Sequence, residues 1–192
     1  MLNVFINPPV ELPRREVLAG LLALGLPGWA LAREPAHALR AGGCALVLRH
    51  AATEPGIGDP PEFNLAVCST QRNLSPAGRA DAQRIGAWFK KSGLTPSAVR
   101  SSAWCRCQDT ARLAFAKFQV WSPLNSVFGD RITLPDQTDI LRAALKAIKP
   151  GQFEVWVTHQ VNITSLTQRV PAMGEGFVVD AQGQVLASLN LN

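Results

Sequence analysis

Tyrosine is absent from the 192 residues, and Phe, Trp and Tyr together make up only 7 %. A chain so poor in rings has little with which to stack unpaired bases. It also lacks a Lys/Arg block of the kind that grips nucleic acid, because the net charge of +5 is scattered along the chain. That charge favours anionic partners weakly. There is no C-x-x-C pair, and only His50 and His159 lie beyond residue 37, too few ligands for a zinc site. A G-x-S-x-G nucleophile elbow is missing, and so is a G-x-x-x-x-G-K-[ST] phosphate loop. No cysteine has the spacing of a cysteine-phosphatase signature, since Arg49 falls five residues after Cys44 and Arg112 seven after Cys105.

What is there is globular. Hydrophobic residues reach 47 % and charged ones 17 %, enough for a single domain with one sizeable core. Residues 1–32 read as an export signal. Arg14 and Arg15 precede an uncharged Ala/Gly/Leu-rich run from Val17 to Ala32, which closes on Ala30-Leu31-Ala32, a small-x-small cleavage pattern. Sixteen residues are too few to span a bilayer comfortably. The paired arginines resemble a twin-arginine signal, so a periplasmic or secreted product is expected, with no membrane contact once the signal is removed. An N-terminal anchor or a buried helix is the alternative. Four cysteines suit an oxidising compartment. Cys105 and Cys107 would point to nearly opposite sides of a helix, which leaves Cys68 with one of them as a plausible bridge. Four buried thiols are the other possibility.

Residues 33–43 read as a polar lead-in, and 44–192 as one domain. "CALVL" (44–48) is a continuous apolar run of the sort buried on both faces of a sheet. A long Gly- and Pro-rich loop (51–73) follows, and loops of that length in compact domains are often functional. Ser75 caps a helix that opens on Pro76 and ends at Lys90-Lys91 before Gly93. Further elements are a strand over 97–102, a helix over 103–117 capped by Ser101 or Ser102, and a helix over 136–149. "FEVWVTH" (153–159) is another strand, with a helix over 160–169 and a hairpin over 176–189. Strands alternating with helices predict an α/β fold with a mostly parallel central sheet.

The chemistry collects at strand ends. His50 ends the first buried strand and His159 ends the strand at 153–158, at the carboxyl edge where open α/β sheets bind ligands. Arg49 precedes His50, and "VRSSAWCR" delivers Arg106 to the same edge. Two arginines and two imidazoles call for an anion between them. Guanidinium forks match phosphoryl oxygens. One histidine can serve as nucleophile while the other donors hold the charge of the transition state. No cofactor or metal is required.

These segments resemble the histidine phosphatase superfamily, with its phosphoglycerate-mutase-like three-layer sandwich, and more narrowly a small secreted member of its first branch. "VLRHAAT" is similar to the Arg-His-Gly signature, "NLSPAGRADAQRIG" to the family's L-T/S-x-x-G helix, "SSAWCRCQDTA" to its S-S-x-x-x-R segment and "VWVTHQVNI" to its V-x-V-x-H segment. The four fall in family order over about residues 44–166. The resemblance implies a metal-independent phosphomonoester hydrolase, of the histidine acid phosphatase type. His50 would be the phosphate acceptor, with Arg49, Arg106 and His159 forming the phosphate pocket. Ala51 departs from the family's usual glycine, which is tolerable if the backbone there does not need positive φ.

The general acid is less clear. Ser126 stands where many members carry a Glu. Asp130 is the first carboxylate candidate and Glu54 the second, and Asp59 in the same loop could also reach over the site. Without an acid, substrates with good leaving groups, phosphoramidates among them, would be preferred. The expected ligand is a small phosphorylated substrate or inorganic phosphate, on a monomer or dimer, with no nucleic acid. Two alternatives share the fold: a weak or inactive anion-binding module, and a phosphohistidine protein phosphatase.

Overall fold

Every side chain of Cys44–Leu48 is fully buried, because the strand it forms has neighbours on both edges and helices on both faces. The computed structural model describes Met1, residues 34–128 and residues 133–191. The signal at 1–32 and the acid candidate Asp130 lie outside the described residues. In chain order the elements are α1 (Pro35–Ala41), β1 (Cys44–Arg49), α2 (Pro76–Lys91), β2 (Ala98–Ser101), α3 (Cys105–Phe115), β3 (Gln119–Val120), α4 (Leu134–Ala147), β4 (Phe153–Thr158), α5 (Gln160–Thr167), β5 (Gly176–Asp180) and β6 (Val185–Leu189).

The strands order as β3-β2-β4-β1-β5-β6. β3, β2, β4 and β1 run parallel, while β5 and β6 close one edge as an antiparallel hairpin. Side-chain alternation then divides the core. Cys44, Leu46 and Leu48 face one way with Val155 and Val157, and meet Leu39 of α1, Ile85 and Phe89 of α2, and Ala111 of α3. Ala45 and Val47 face the other way with Trp156, and meet Leu141 and Leu145 of α4 and Ile163 and Leu166 of α5. The result is the expected three-layer α/β sandwich.

Local signals account for most boundaries. Ser75 Oγ accepts a 3.1 Å hydrogen bond from the backbone N–H of Gly78 and caps α2. Gly78 is there for closeness, since a Cβ at that position would lie 1.8 Å from the carbonyl oxygen of Ala52. Several element ends shift by one or two residues, and three helix starts differ from expectation. The lead-in contains α1, whose Ala36, Ala38 and Leu39 are buried; a seven-residue helix with one leucine shows no apolar stripe. α3 begins at Cys105, two residues late, with Trp104 at its N-cap and no side-chain cap. α4 begins at Leu134, with Pro135 in its first turn.

Cys68 and Cys105 form a disulfide with Cα atoms 5.6 Å apart, while Cys44 and Cys107 are free and buried. The bridge ties the long loop to the first residue of α3 across a sequence separation of 37. Chain-entropy arguments assign about 4 kcal/mol to closing a loop of that size. Cys68→Ser should lower the urea midpoint accordingly, and reductant should lower the wild type to match it. Identical midpoints for oxidised, reduced and substituted protein would show that the bridge contributes nothing.

Candidate active site

The three inner parallel strands end together and deliver the site. His50 follows β1, its backbone N–H donating to Thr158 (3.0 Å) and its carbonyl accepting from Gly174 (3.1 Å). Its Nδ1 lies 2.9 Å from the Ala51 carbonyl oxygen. A carbonyl only accepts, so the proton sits on Nδ1 and the lone pair on Nε2 is available to attack. Ala51 is buried against Leu74 and Ala82, its N–H donates to Thr110 Oγ1 (3.1 Å), and its φ is not positive. The backbone there has no need of a glycine.

His159 follows β4 and precedes α5, its ring centroid 5.5 Å from that of His50. Its Nε2 lies 2.9 Å from Ser102 Oγ, at the end of β2. Ser102 in turn donates to Asn125 Oδ1 (3.3 Å), which also accepts from the N–H of Ala103 (2.8 Å). Ser102 Oγ also accepts from the backbone N–H of Trp104 (3.3 Å), and Cys107 Sγ lies 3.5 Å from the same His159 Nε2. Asn162 fastens this layer from below, donating to the carbonyls of Leu124 (3.0 Å) and Asn125 (2.9 Å).

Three arginines complete the floor. Arg49 donates to the Pro171 carbonyl (2.9 Å), in the segment leading to β5. Arg106, second residue of α3, pairs with Asp59 at 2.7 Å, their side chains only 6 % and 8 % exposed. Arg72 comes from the long loop and reaches the Gly56 carbonyl. Among the described residues, the Nε of each arginine is buried without a partner. Asp59 also accepts from the backbone N–H of Arg72 (3.0 Å) and from Trp104 Nε1 (3.1 Å).

The electrostatics follow from this crowding. Burial, with the Arg106, Arg49 and Arg72 charges, outweighs the Ala51 hydrogen bond and takes the His50 pKa down to about 3. Burial first, then His50 and the arginines, likewise depress His159 well below the ordinary histidine range. Both rings are neutral at physiological pH. Burial opposes charge on Asp59, but its bonds from Arg106, Arg72 and Trp104 prevail and hold it below the usual carboxylate range. Arg49 is lowered by burial and by its arginine neighbours.

Arg49, His50, Arg106 and His159 all line one cleft of about 1460 Å³. Among the described residues, Ser126 and Asp59 line it too, whereas Glu54 is exposed and outside it. The carboxylate brought to the floor is therefore Asp59 rather than Glu54, because the backbone of Glu54 is paired to Asn73 at the loop's edge. Sequence reasoning missed Ser102 as the partner of His159, although the paired serines before Arg106 were a signal for it. Loop position alone could place Arg72 only near the entrance; the structure puts it on the floor.

No protein-family model matches the chain, and no curated protein does. Solved structures do. A candidate phosphohistidine phosphatase SixA from Agrobacterium tumefaciens superposes with a TM-score of 0.53 and 17 % identity, over 77 % of this chain and 98 % of that one. TTHB049 from Thermus thermophilus gives 0.54 and 18 % over 77 % and 99 %. A phosphoglycerate mutase from the same organism gives 0.55 and 17 % over 78 % and 99 %. The fold is thus phosphoglycerate-mutase-like.

Two imidazoles buried neutral have a consequence for stability. The unfolded chain takes up their protons near pH 6.5 and the folded chain only far lower, so stability is complete above about pH 6.5 and falls as pH drops. Each contributes a slope of about 1.4 kcal/mol per pH unit between about pH 6 and pH 5. Urea titrations across that window should show the wild-type slope reduced by about half in His50→Asn. An unchanged slope would mean that His50 is not held neutral.

Proposed function

We propose that the chain is a metal-independent phosphomonoester hydrolase of the histidine phosphatase superfamily, exported to the periplasm, which carries the phosphoryl group on His50. The observation that supports this most is the meeting of three arginines and two neutral imidazoles on one cleft floor, where Asp59 is paired with Arg106. The Nε2 lone pair of His50 attacks phosphorus, the ester P–O bond breaks, and the leaving oxygen departs with the bonding pair. Arg49, Arg72, Arg106 and His159 surround the equatorial oxygens, where charge is stabilised best. Water then attacks the phosphohistidine, the P–N bond breaks, and Nε2 is restored as inorganic phosphate leaves.

Asp59 bears on the leaving group. Held ionised by Arg106, it is no proton donor in the empty site. A phosphoryl dianion that draws Arg106 away would leave the Asp59 carboxylate beside new negative charge, and its proton affinity would rise. The same pair favours the second reading, a module that binds anions without turnover, if Asp59 stays in place. A phosphoramidate needs the least protonation among leaving groups, in keeping with the substrate named for the Agrobacterium protein.

The full chain, exposed briefly to a reactive phosphodonor at low pH, should gain the mass of one phosphoryl group, and His50→Ala should not. Release of p-nitrophenol from p-nitrophenyl phosphate should persist in EDTA and drop about a thousandfold or more in His50→Ala. No adduct and no release would move the assignment to the anion-binding module. In Asp59→Asn, product phosphate should inhibit about tenfold more tightly, because a competing charge is gone. Esters of alcohols with high pKa should lose more turnover in that variant than p-nitrophenyl phosphate. Equal losses with unchanged inhibition would confine Asp59 to a structural role.

A further inference from the structure

The cleft is much larger than a phosphoryl group requires. Its 1460 Å³ exceeds the roughly 300–1,000 Å³ usual for small-ligand sites. Part of its wall is apolar. Ile57 (93 % exposed), Phe63 (37 %) and Phe128 (77 %) all line it. Large apolar side chains normally lie scattered on a surface; gathered at a site they mark what that site receives. These three come from two segments far apart in sequence, the loop after β1 and the stretch after β3, so chance adjacency along the chain does not explain them. Leu134, Val161 and Met173 also line the cleft.

The polar groups beyond the floor are mostly engaged. Thr138 Oγ1 bonds the Leu134 carbonyl (2.7 Å) and Ser165 Oγ (2.8 Å), and Asp139 pairs with Arg142 (3.0 Å). Thr164 Oγ1 is the buried cleft hydroxyl without a partner among the described residues. A sugar or other polyol needs several convergent donors and acceptors to be distinguished from water, and Ile57, Phe63 and Phe128 offer none. Phe63 and its loop are also held in place. Phe63 rests 6.1 Å from Trp104 between ring centroids, and the Cys68–Cys105 bridge anchors the loop that carries Ile57 and Phe63. A wall ordered beforehand loses less entropy on binding.

We infer that the substrate is amphipathic: a phosphomonoester whose leaving group is a large apolar body, with its phosphoryl end on the arginine floor and its apolar end against Ile57, Phe63 and Phe128. This inference rests on the reading of the floor as a phosphoryl-transfer site.

The test is a series of para-alkylphenyl phosphates from methyl to hexyl, in which chain length varies while the leaving-group pKa is constant. kcat/KM should rise by roughly threefold per methylene until the wall is covered. A terminal hydroxyl on the chain should cancel most of the gain. Phe63→Ser combined with Phe128→Ser should flatten the series. The matching non-hydrolysable phosphonates, titrated calorimetrically, should show the same gain in affinity and be displaced by inorganic phosphate. A flat affinity series overturns the amphipathic substrate, whether or not turnover is seen. Rising affinity without a phosphohistidine adduct overturns the catalytic reading of the floor and leaves the amphipathic ligand standing.

Discussion

Three guanidinium groups share the floor of one cleft, and like charges brought together away from water repel strongly. The surrounding structure is arranged around that repulsion. Asp59 neutralises one charge at 2.7 Å and is fastened by Trp104 and by the backbone of Arg72. The Pro171 and Gly56 carbonyls take part of the load from Arg49 and Arg72. Both imidazoles stay neutral, which avoids adding two further positive charges. What remains is an excess of positive charge that an entering anion satisfies, together with a histidine whose lone pair is free because its proton is committed to a backbone carbonyl.

Holding those groups requires rigid strand ends and a disciplined loop. β1, β2 and β4 terminate at one edge, so His50, Ser102 and His159 arrive from three adjacent strands without any long reach. The loop after His50 is the less regular partner, and two devices restrain it. Gly78 lets the start of α2 come against the Ala52 carbonyl, closer than any side chain would permit. The Cys68–Cys105 bridge then joins the loop to α3 one residue before Arg106, so Asp59, Arg72 and Arg106 are positioned by a single fastened unit.

The legible part of this arrangement was the part governed by periodicity and by strand ends. A wholly apolar run ending in Arg49-His50, and a second run ending in His159, place both histidines at one edge by topology alone. The cap Ser75-Pro76 marks α2 because the signal is local. The illegible part depends on contacts between distant segments. Glu54 and Asp59 are five residues apart on one loop, and no sequence rule says which turns inward; the Trp104 indole and the Arg106 guanidinium decide it. Ser102 looked like a helix cap, yet its hydroxyl is directed at an imidazole 57 residues away. α1 was hidden because one leucine and two alanines make no periodic stripe, although all three are buried in the folded chain.

The leaving group and the apolar wall bear on each other. A floor on which Asp59 is held ionised draws little help from that carboxylate for a departing alkoxide until the substrate itself disturbs the Asp59–Arg106 pair. The energy for that disturbance has to come from binding, and remote contacts are the ordinary source when the reacting end alone cannot supply it. An apolar body seated against Ile57 and Phe128 releases water from surfaces that are otherwise exposed, and that gain is available to drive the phosphoryl group onto Arg106 in place of Asp59. A small polar ester, making no such contact, would have to displace the ion pair through its charge alone. On this argument the wall is more than a specificity filter. It is where the free energy for activating the acid originates, and discrimination against small substrates should reside in kcat as well as in KM.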